Sequence, residues 1–170
     1  MAIEKISIEK AKKDKLFYFV TTTVVYRESD GRGLILKRGD GEIVHPGKYA
    51  TPGGKLEWKD LNFENATIKN DGIVAFEHAV EKLLKREVLE ESGLEIEDSI
   101  HYIGSFAFVR PDEVPVVLIR FAAKYKSGEV KLEEHAFTDF AWVNAEEVLK
   151  YDCIDNVRDE VLAAIKHFNK

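Results

Sequence analysis

Hydrophobic and polar positions divide the chain into short strand-like runs around one amphipathic helix. Residues 16–26 (LFYFVTTTVVY) are aromatic and β-branched, the composition of a strand. Turn chemistry at 28–33 separates them from a second strand at 33–38 (GLILKR), and GDG at 39–41 marks another turn. Residues 45–54 (HPGKYATPGG) read as a loop, and residues 58–75 as a polar, irregular surface insertion. The clearest helix is predicted from about 75 to 92. There Val80, Leu83, Leu84 and Val88, with Phe76 less central, recur at the 3.6-residue period. Gly93 follows, where a left-handed cap belongs.

Two further strands are predicted at 101–110 (HYIGSFAFVR) and 114–126, the latter with Pro115 at its start, where a missing N–H does least harm. A short strand at 140–143 (FAWV) and helices at 145–151 and 154–168 complete the pattern. Strands on both sides of one strong helix, with helices at the end, indicate a mixed α/β layered domain. We read 1–170 as a single domain, with residues 1–14 unplaced.

Composition narrows the picture. A length of 170 residues suits one domain with a proper core. Against 25 Lys and Arg stand 31 Asp and Glu, a net charge of −6, which argues against a duplex nucleic-acid binder. Cys153 is the sole cysteine, so neither a disulfide framework nor a Cys-rich zinc site is expected, and no neighbour in sequence activates it. The five His show no ligand spacing for zinc. The apolar run at 16–26 is too short and too polar to span a membrane, and the first fifteen residues lack the apolar core of a signal peptide. A cytoplasmic protein without membrane association is therefore expected.

The candidate chemistry lies in REVLEESGL, residues 86–94. Spacings of three and four place Glu90 and Glu91 beside Glu87 on the helix surface, where like charges repel. A hard divalent cation removes that repulsion, and Mg²⁺ is commonly held by one or two carboxylates, water and substrate phosphate. The bland alternative is a solvated acidic face. Upstream, GKYATPGGKLE (47–57) contains a Pro-Gly-Gly turn whose backbone can approach an ion or phosphate, with carbonyls able to act as ligands.

Together these segments resemble the Nudix hydrolase family. Its signature is a Gly, five residues, a Glu, seven residues, then Arg-Glu-aliphatic-X-Glu-Glu-X-Gly-aliphatic. Arg86, Glu87, Val88, Glu90, Glu91, Gly93 and Leu94 match the second half at every defined position. Gly53, Gly54, Lys55 and Glu57 resemble the family's GGKxE segment, and the FAWV strand followed by NAEEV resembles its late Trp-containing strand and helix. Two features depart from the pattern. Counted back from Arg86, the signature Glu falls on His78 and the first Gly on Gly72, far from GGKLE. An insertion between the glycine turn and the helix accounts for both.

The resemblance implies an α/β/α sandwich with a mixed β-sheet, and a hydrolase cleaving the pyrophosphate linkage of a nucleoside diphosphate derivative. It implies Mg²⁺ or Mn²⁺ held by Glu90, Glu91 and the Gly54 carbonyl, with Glu87 as a further ligand or the base. Arg86 would orient the carboxylates, or simply form an i,i+4 pair with Glu90. Glu134, preceding the late strand, is the expected second base, the alternative being a charged hairpin edge. Arg38 and Lys55 are candidates for phosphate contact. Phe106, Phe108 and Arg110 alternate on one strand and share a face, to stack a base and contact phosphate or to pack in the core.

A catalytically weak nucleotide-binding or sensor domain on the same fold is the competing reading, supported by His78. An isoprenoid diphosphate isomerase would need a catalytic Cys near the site, and Cys153 comes too late in the chain. A nucleotide-derived small molecule is the expected partner, and the N-terminal segment offers a route to a homodimer.

Overall fold

A long strand, β1 (Tyr18–Arg27), organises the computed structural model, which describes residues 5–169. Residues 1–4 of the unplaced N-terminal segment, and residue 170, lie outside the described residues. On one side β1 runs parallel to β8 (Pro115–Ser127), which in turn pairs antiparallel with β7 (Glu95–Val109). On the other side β1 has two partners. Its end pairs with β2 (Arg32–Arg38), and its first half pairs with β4 (Gly53–Lys55). Against β2 lie β9 (Phe137–Val143) and the short β3 (Tyr49–Ala50). The result is a mixed seven-stranded sheet. A separate hairpin joins β5 (Thr67–Ile68) to β6 (Val74–Ala75).

A helix covers each face. Helix α1 (Ala79–Ser92) packs Leu84 and Val88 against Val25, Leu34, Leu36 and Ala123. Helix α2 (Val157–Phe168) packs Val161 and Ala164 against Val24, Ile35 and Ala122. Strand neighbours point to opposite faces, so consecutive pairs such as Val24 and Val25 feed the two layers separately. Burial on both faces explains why β1 reads as an almost continuous apolar run rather than an alternating one. This is the α/β/α sandwich expected from the sequence.

Several boundaries differ from the pattern-based expectation, each for a local reason. Helix α1 starts at Ala79, not near 75, because residues 74–75 are paired as β6 and His78 sits in the left-handed region at φ 58°. Phe76 consequently leaves the helix face and meets Phe63 edge-on, with centroids 5.2 Å apart. Helix α2 starts at Val157 rather than 154. Tyr49 N–H donates to the Asp152 carbonyl and Ile154 N–H to the Tyr49 carbonyl, both at 2.9 Å, which holds this stretch extended along β3. The expected helix at 145–151 is a single 3₁₀ turn (Glu147–Lys150), opened by the Asn144 side chain accepting from the N–H groups of Glu146 and Glu147. Strand β7 begins at Glu95, six residues early, directly after the left-handed Gly93 cap, and register shifts interrupt its pairing.

Leu84 is fully buried between α1 and the sheet. Leu84→Ala is expected to destabilise the domain by ~2–5 kcal/mol through lost burial and a residual cavity. Chemical denaturation measures this, and an unchanged midpoint would contradict the assignment of the helix faces.

Candidate active site: a glycine turn against an acidic helix

The segment 51–55 is laid along β1 by backbone bonds. The Pro52 carbonyl accepts from Thr23 N–H at 2.8 Å, Gly53 pairs with Thr22, and Gly54 pairs with Thr21. This register turns Gly54 toward α1. A Cβ on Gly54 would press on the end of the Glu87 side chain, whereas one on Gly53 would strike the β1 backbone at Thr21 and Thr22, so the close approach of this segment to β1 requires glycine at 53. Gly53 N–H donates to Glu91 Oε2 at 2.9 Å. The Pro-Gly-Gly segment, expected as a turn, bends only at Pro52 and runs on as extended strand through Gly53 and Gly54; it and the acidic helix, separated by more than thirty residues in sequence, are in direct contact.

Arg86 gathers the remaining acids. Its guanidinium lies 2.9 Å from Glu87, 2.8 Å from Glu90 and 3.0 Å from Asp60. Asp60 is fixed in its own short turn, where its Oδ2 accepts from Glu57 N–H at 2.8 Å. Burial works against the charge on Arg86, but the surrounding carboxylates outweigh it and hold its pKa above the ordinary value. Burial pushes the Glu87 carboxyl up, with Arg86 opposing. Glu91 is pushed up to about 8, chiefly by burial, with the charges of Glu87 and Glu133 adding and the Gly53 N–H opposing.

The residues fit a hard divalent cation. The donors are oxygens, the Glu87 carboxylate lies directly against the Gly54 backbone with no Cβ between them, and the anionic form of Glu91 is short of positive charge. Thr21, the β1 partner of Gly54, and Thr23 carry buried hydroxyls that find no hydrogen-bond partner among the described residues. Among those residues no three acidic side chains already converge on one point. The fit is therefore that of an ion sharing its shell with water and phosphate rather than one enclosed by protein.

The other expected site residues are distributed unevenly. Arg38 is occupied by the following loop, pairing with Glu42 and donating to the Val44 carbonyl at 2.8 Å. Glu134 is exposed. Its neighbour Glu133 lies closer, donating its backbone N–H to the Glu91 carbonyl at 3.2 Å. Lys55, Val20, Leu118 and Phe106 form one row across four strands, on the face opposite the acids. Phe108 stands near Phe106, with ring centroids 5.4 Å apart, and Arg110 pairs with Asp112 at 2.8 Å. His78 is exposed at the start of α1, with Glu81 3.8 Å away, and Glu77 pairs with Lys69, so neither reaches Arg86.

The residue missed from sequence is Asp60. Counting back from Arg86 leads to His78. With five residues intervening after Gly54, the same signature position falls on Asp60, and the fold brings that carboxylate to Arg86.

The family model for the NUDIX domain matches residues 71–165, more than half of the chain. The chain belongs to the NUDIX family. It is accordingly a pyrophosphohydrolase acting on phosphoanhydride bonds of nucleotides in general. Among its relatives, nucleoside triphosphatase NudI of Escherichia coli O17:K52:H18 is 27% identical over 135 residues, 74% of this chain and 82% of that one. The Shigella flexneri protein of the same name matches at the same identity and coverage. Solved structures share the fold. The MutT NUDIX hydrolase from Burkholderia pseudomallei superposes with a TM-score of 0.65 at 19% identity, covering 86% of this chain and 97% of its own. The NUDIX domain of Shewanella oneidensis NrtR, complexed with ADP ribose, gives 0.67 at 14%, covering 94% and 92%.

Two outcomes are expected. In metal-free protein, Glu91 holds its proton in the folded state up to about pH 8, whereas its ordinary value is 4.5. The folded state therefore binds more protons across this window, and stability falls as pH rises through it. Unfolding midpoints in EDTA should show that decline, made shallower by Glu91→Gln; an equally steep decline in the variant would contradict it. Asp60→Ala should destabilise by about 1–3 kcal/mol, as the loss of a bond to a partly buried charged group does, while His78→Ala should be neutral. Denaturant titration of the pair checks this, and the reverse ranking would refute the placement of Asp60.

Proposed function

We propose that the chain is a Mg²⁺- or Mn²⁺-dependent hydrolase cleaving the pyrophosphate linkage of a nucleoside diphosphate derivative. The observation carrying this reading is the seating of the Gly53–Gly54 turn on Glu87 and Glu91. Glu87, Glu90, Glu91 and the Gly54 carbonyl would hold the ion. Bound there, it supplies charge neutralisation at the phosphate oxygens and activation of water. Arg86 orients the carboxylates, and Asp60 completes its set of partners. Glu87, whose proton affinity burial raises, is the base where it is not a ligand. Glu134 is the outer candidate for a second base, reaching the site by movement of its exposed loop.

Substrate beyond the scissile phosphates would lie on the face of the sheet opposite the acids, over the part of it that α2 leaves open. Phe106 and the exposed Phe108 offer a stacking surface there, with Lys55 and Arg110 flanking the ring of Tyr18, each 5.9 Å from its centroid. Arg38 contributes positive charge on the acidic side, where it lowers the proton affinity of Glu91. The E. coli relative named a nucleoside triphosphatase directs attention first to nucleoside triphosphates, in which the group on the diphosphate is another phosphate.

The insertion expected at 58–75 would narrow to the stretch between Asp60 and α1, including the β5–β6 hairpin, within a single domain. With Asp60 at Arg86, His78 no longer favours a catalytically weak sensor. No described helix is long and apolar enough to cross a membrane. A cytoplasmic location suits nucleotide substrates and the buried free Cys153. The exposed Ile8, Leu16 and Phe17 would serve a homodimer contact.

The test is phosphate release from nucleoside triphosphates, nucleotide sugars and dinucleotide polyphosphates, with and without Mg²⁺, using pyrophosphatase coupling. Metal-dependent turnover of at least one substrate is expected. Glu91→Gln should abolish it while leaving the circular dichroism spectrum unchanged. Full activity in that variant, or turnover indifferent to EDTA, would overturn the assignment.

A further inference from the structure

The glycine turn is held from the far side of the sheet as well. Glu160 lies in α2 and is only 4% exposed. Its Oε2 accepts from Thr51 Oγ1 at 2.7 Å and from Thr22 Oγ1 at 3.4 Å. Thr51 opens the run that ends at Gly54, and Thr22 is the β1 partner of Gly53. One carboxylate on α2 therefore bonds both strands at the point where the turn is attached.

On the opposite face, Glu91 of α1 takes the N–H of Gly53. The four residues 51–54 are thus gripped by a carboxylate from each helix, one through each face of the sheet. Burying Glu160 is costly, and an apolar side chain would fill the same space without that cost. What an apolar residue would lack is the bond that fixes Thr51.

We propose that Glu160 is a positioning residue for the metal site: through Thr51 and Thr22 it fixes the 51–54 segment, and with it the distance between the Gly54 carbonyl and Glu91. It touches neither ion nor substrate. This rests on the reading of Gly54 and Glu91 as ligands. It makes α2, which carries none of the family signature, part of the site's framework.

Thr51→Val, which removes the hydroxyl at nearly constant volume, is the primary test, with Glu160→Ala and Glu160→Gln beside it. Two quantities are read: Mn²⁺ affinity by electron paramagnetic resonance, and hydrogen exchange of the Gly53 amide in metal-free protein. Thr51→Val and Glu160→Ala should each weaken Mn²⁺ binding about tenfold or more, the range typical when support for a metal ligand is lost. Both should speed Gly53 exchange, and the double variant should be no worse than Glu160→Ala alone, since the two residues act through one bond. Glu160→Gln keeps an oxygen acceptor and should stay within about threefold of the wild type in Mn²⁺ affinity, a smaller loss than the tenfold expected when the support is removed.

A merely structural role would instead lower the unfolding midpoint and leave Mn²⁺ affinity and Gly53 exchange unchanged; that result in Thr51→Val overturns the proposal. Should Glu160→Ala fail to fold, Thr51→Val decides alone. Should the wild type fail to bind Mn²⁺, the metal reading falls, while Gly53 exchange still decides whether Glu160 holds the turn.

Discussion

The contact between the backbone at Gly53–Gly54 and the carboxylates of Glu87 and Glu91 is the constraint on which the rest of the site depends. It demands glycine at position 53, where a Cβ would strike the β1 backbone, and a helix pressed close to the sheet. Every layer contributes to meeting those demands. The Thr21–Gly54 register sets which way the turn faces. Leu84 and Val88, buried one face away from the acids, hold α1 at the required height. Gly93 ends the helix within one turn of Glu91, so the acidic stripe lies at its rigid last turn rather than in a loop.

The arrangement is electrostatically unfinished. Burial drives Glu91 toward its protonated form, and Arg86 divides its charge among three carboxylates. A group of acids with one shared arginine is poorly compensated in a partly desolvated setting. A divalent cation with its own water and phosphate ligands supplies the missing charge without requiring a protein cage. On the proposed reading, ion and substrate together complete the site.

Much of this was legible in the chain because the signals are local. The periodicity of Val80, Leu83, Leu84 and Val88 marks the buried face of α1, and REVLEESGL places the acids on the other. The two apolar layers of β1 and β2 follow from runs such as LIL at 34–36. What escaped depended on distant partners. The start of β7 is polar and exposed, and only pairing with β8 makes it a strand. Residues 152–154 suit a helix until β3 claims their backbone groups. Asp60 was hidden because the intervening residues break the spacing when it is counted from the helix, and only folding returns it to Arg86. Glu160 sits in a pattern, RDEVLAAI, where an acid reads as solvent-facing. Its burial is set by Thr51, 109 positions away.

The most direct test of the account is a crystal structure of the protein grown with Mn²⁺, with the ion located by anomalous scattering. The account predicts a peak about 2.0–2.3 Å from a carboxylate oxygen of Glu91 and from the Gly54 carbonyl, as expected for a small hard cation bound through oxygen. A peak elsewhere, or an ion that leaves the Gly54 carbonyl uncoordinated, would contradict it.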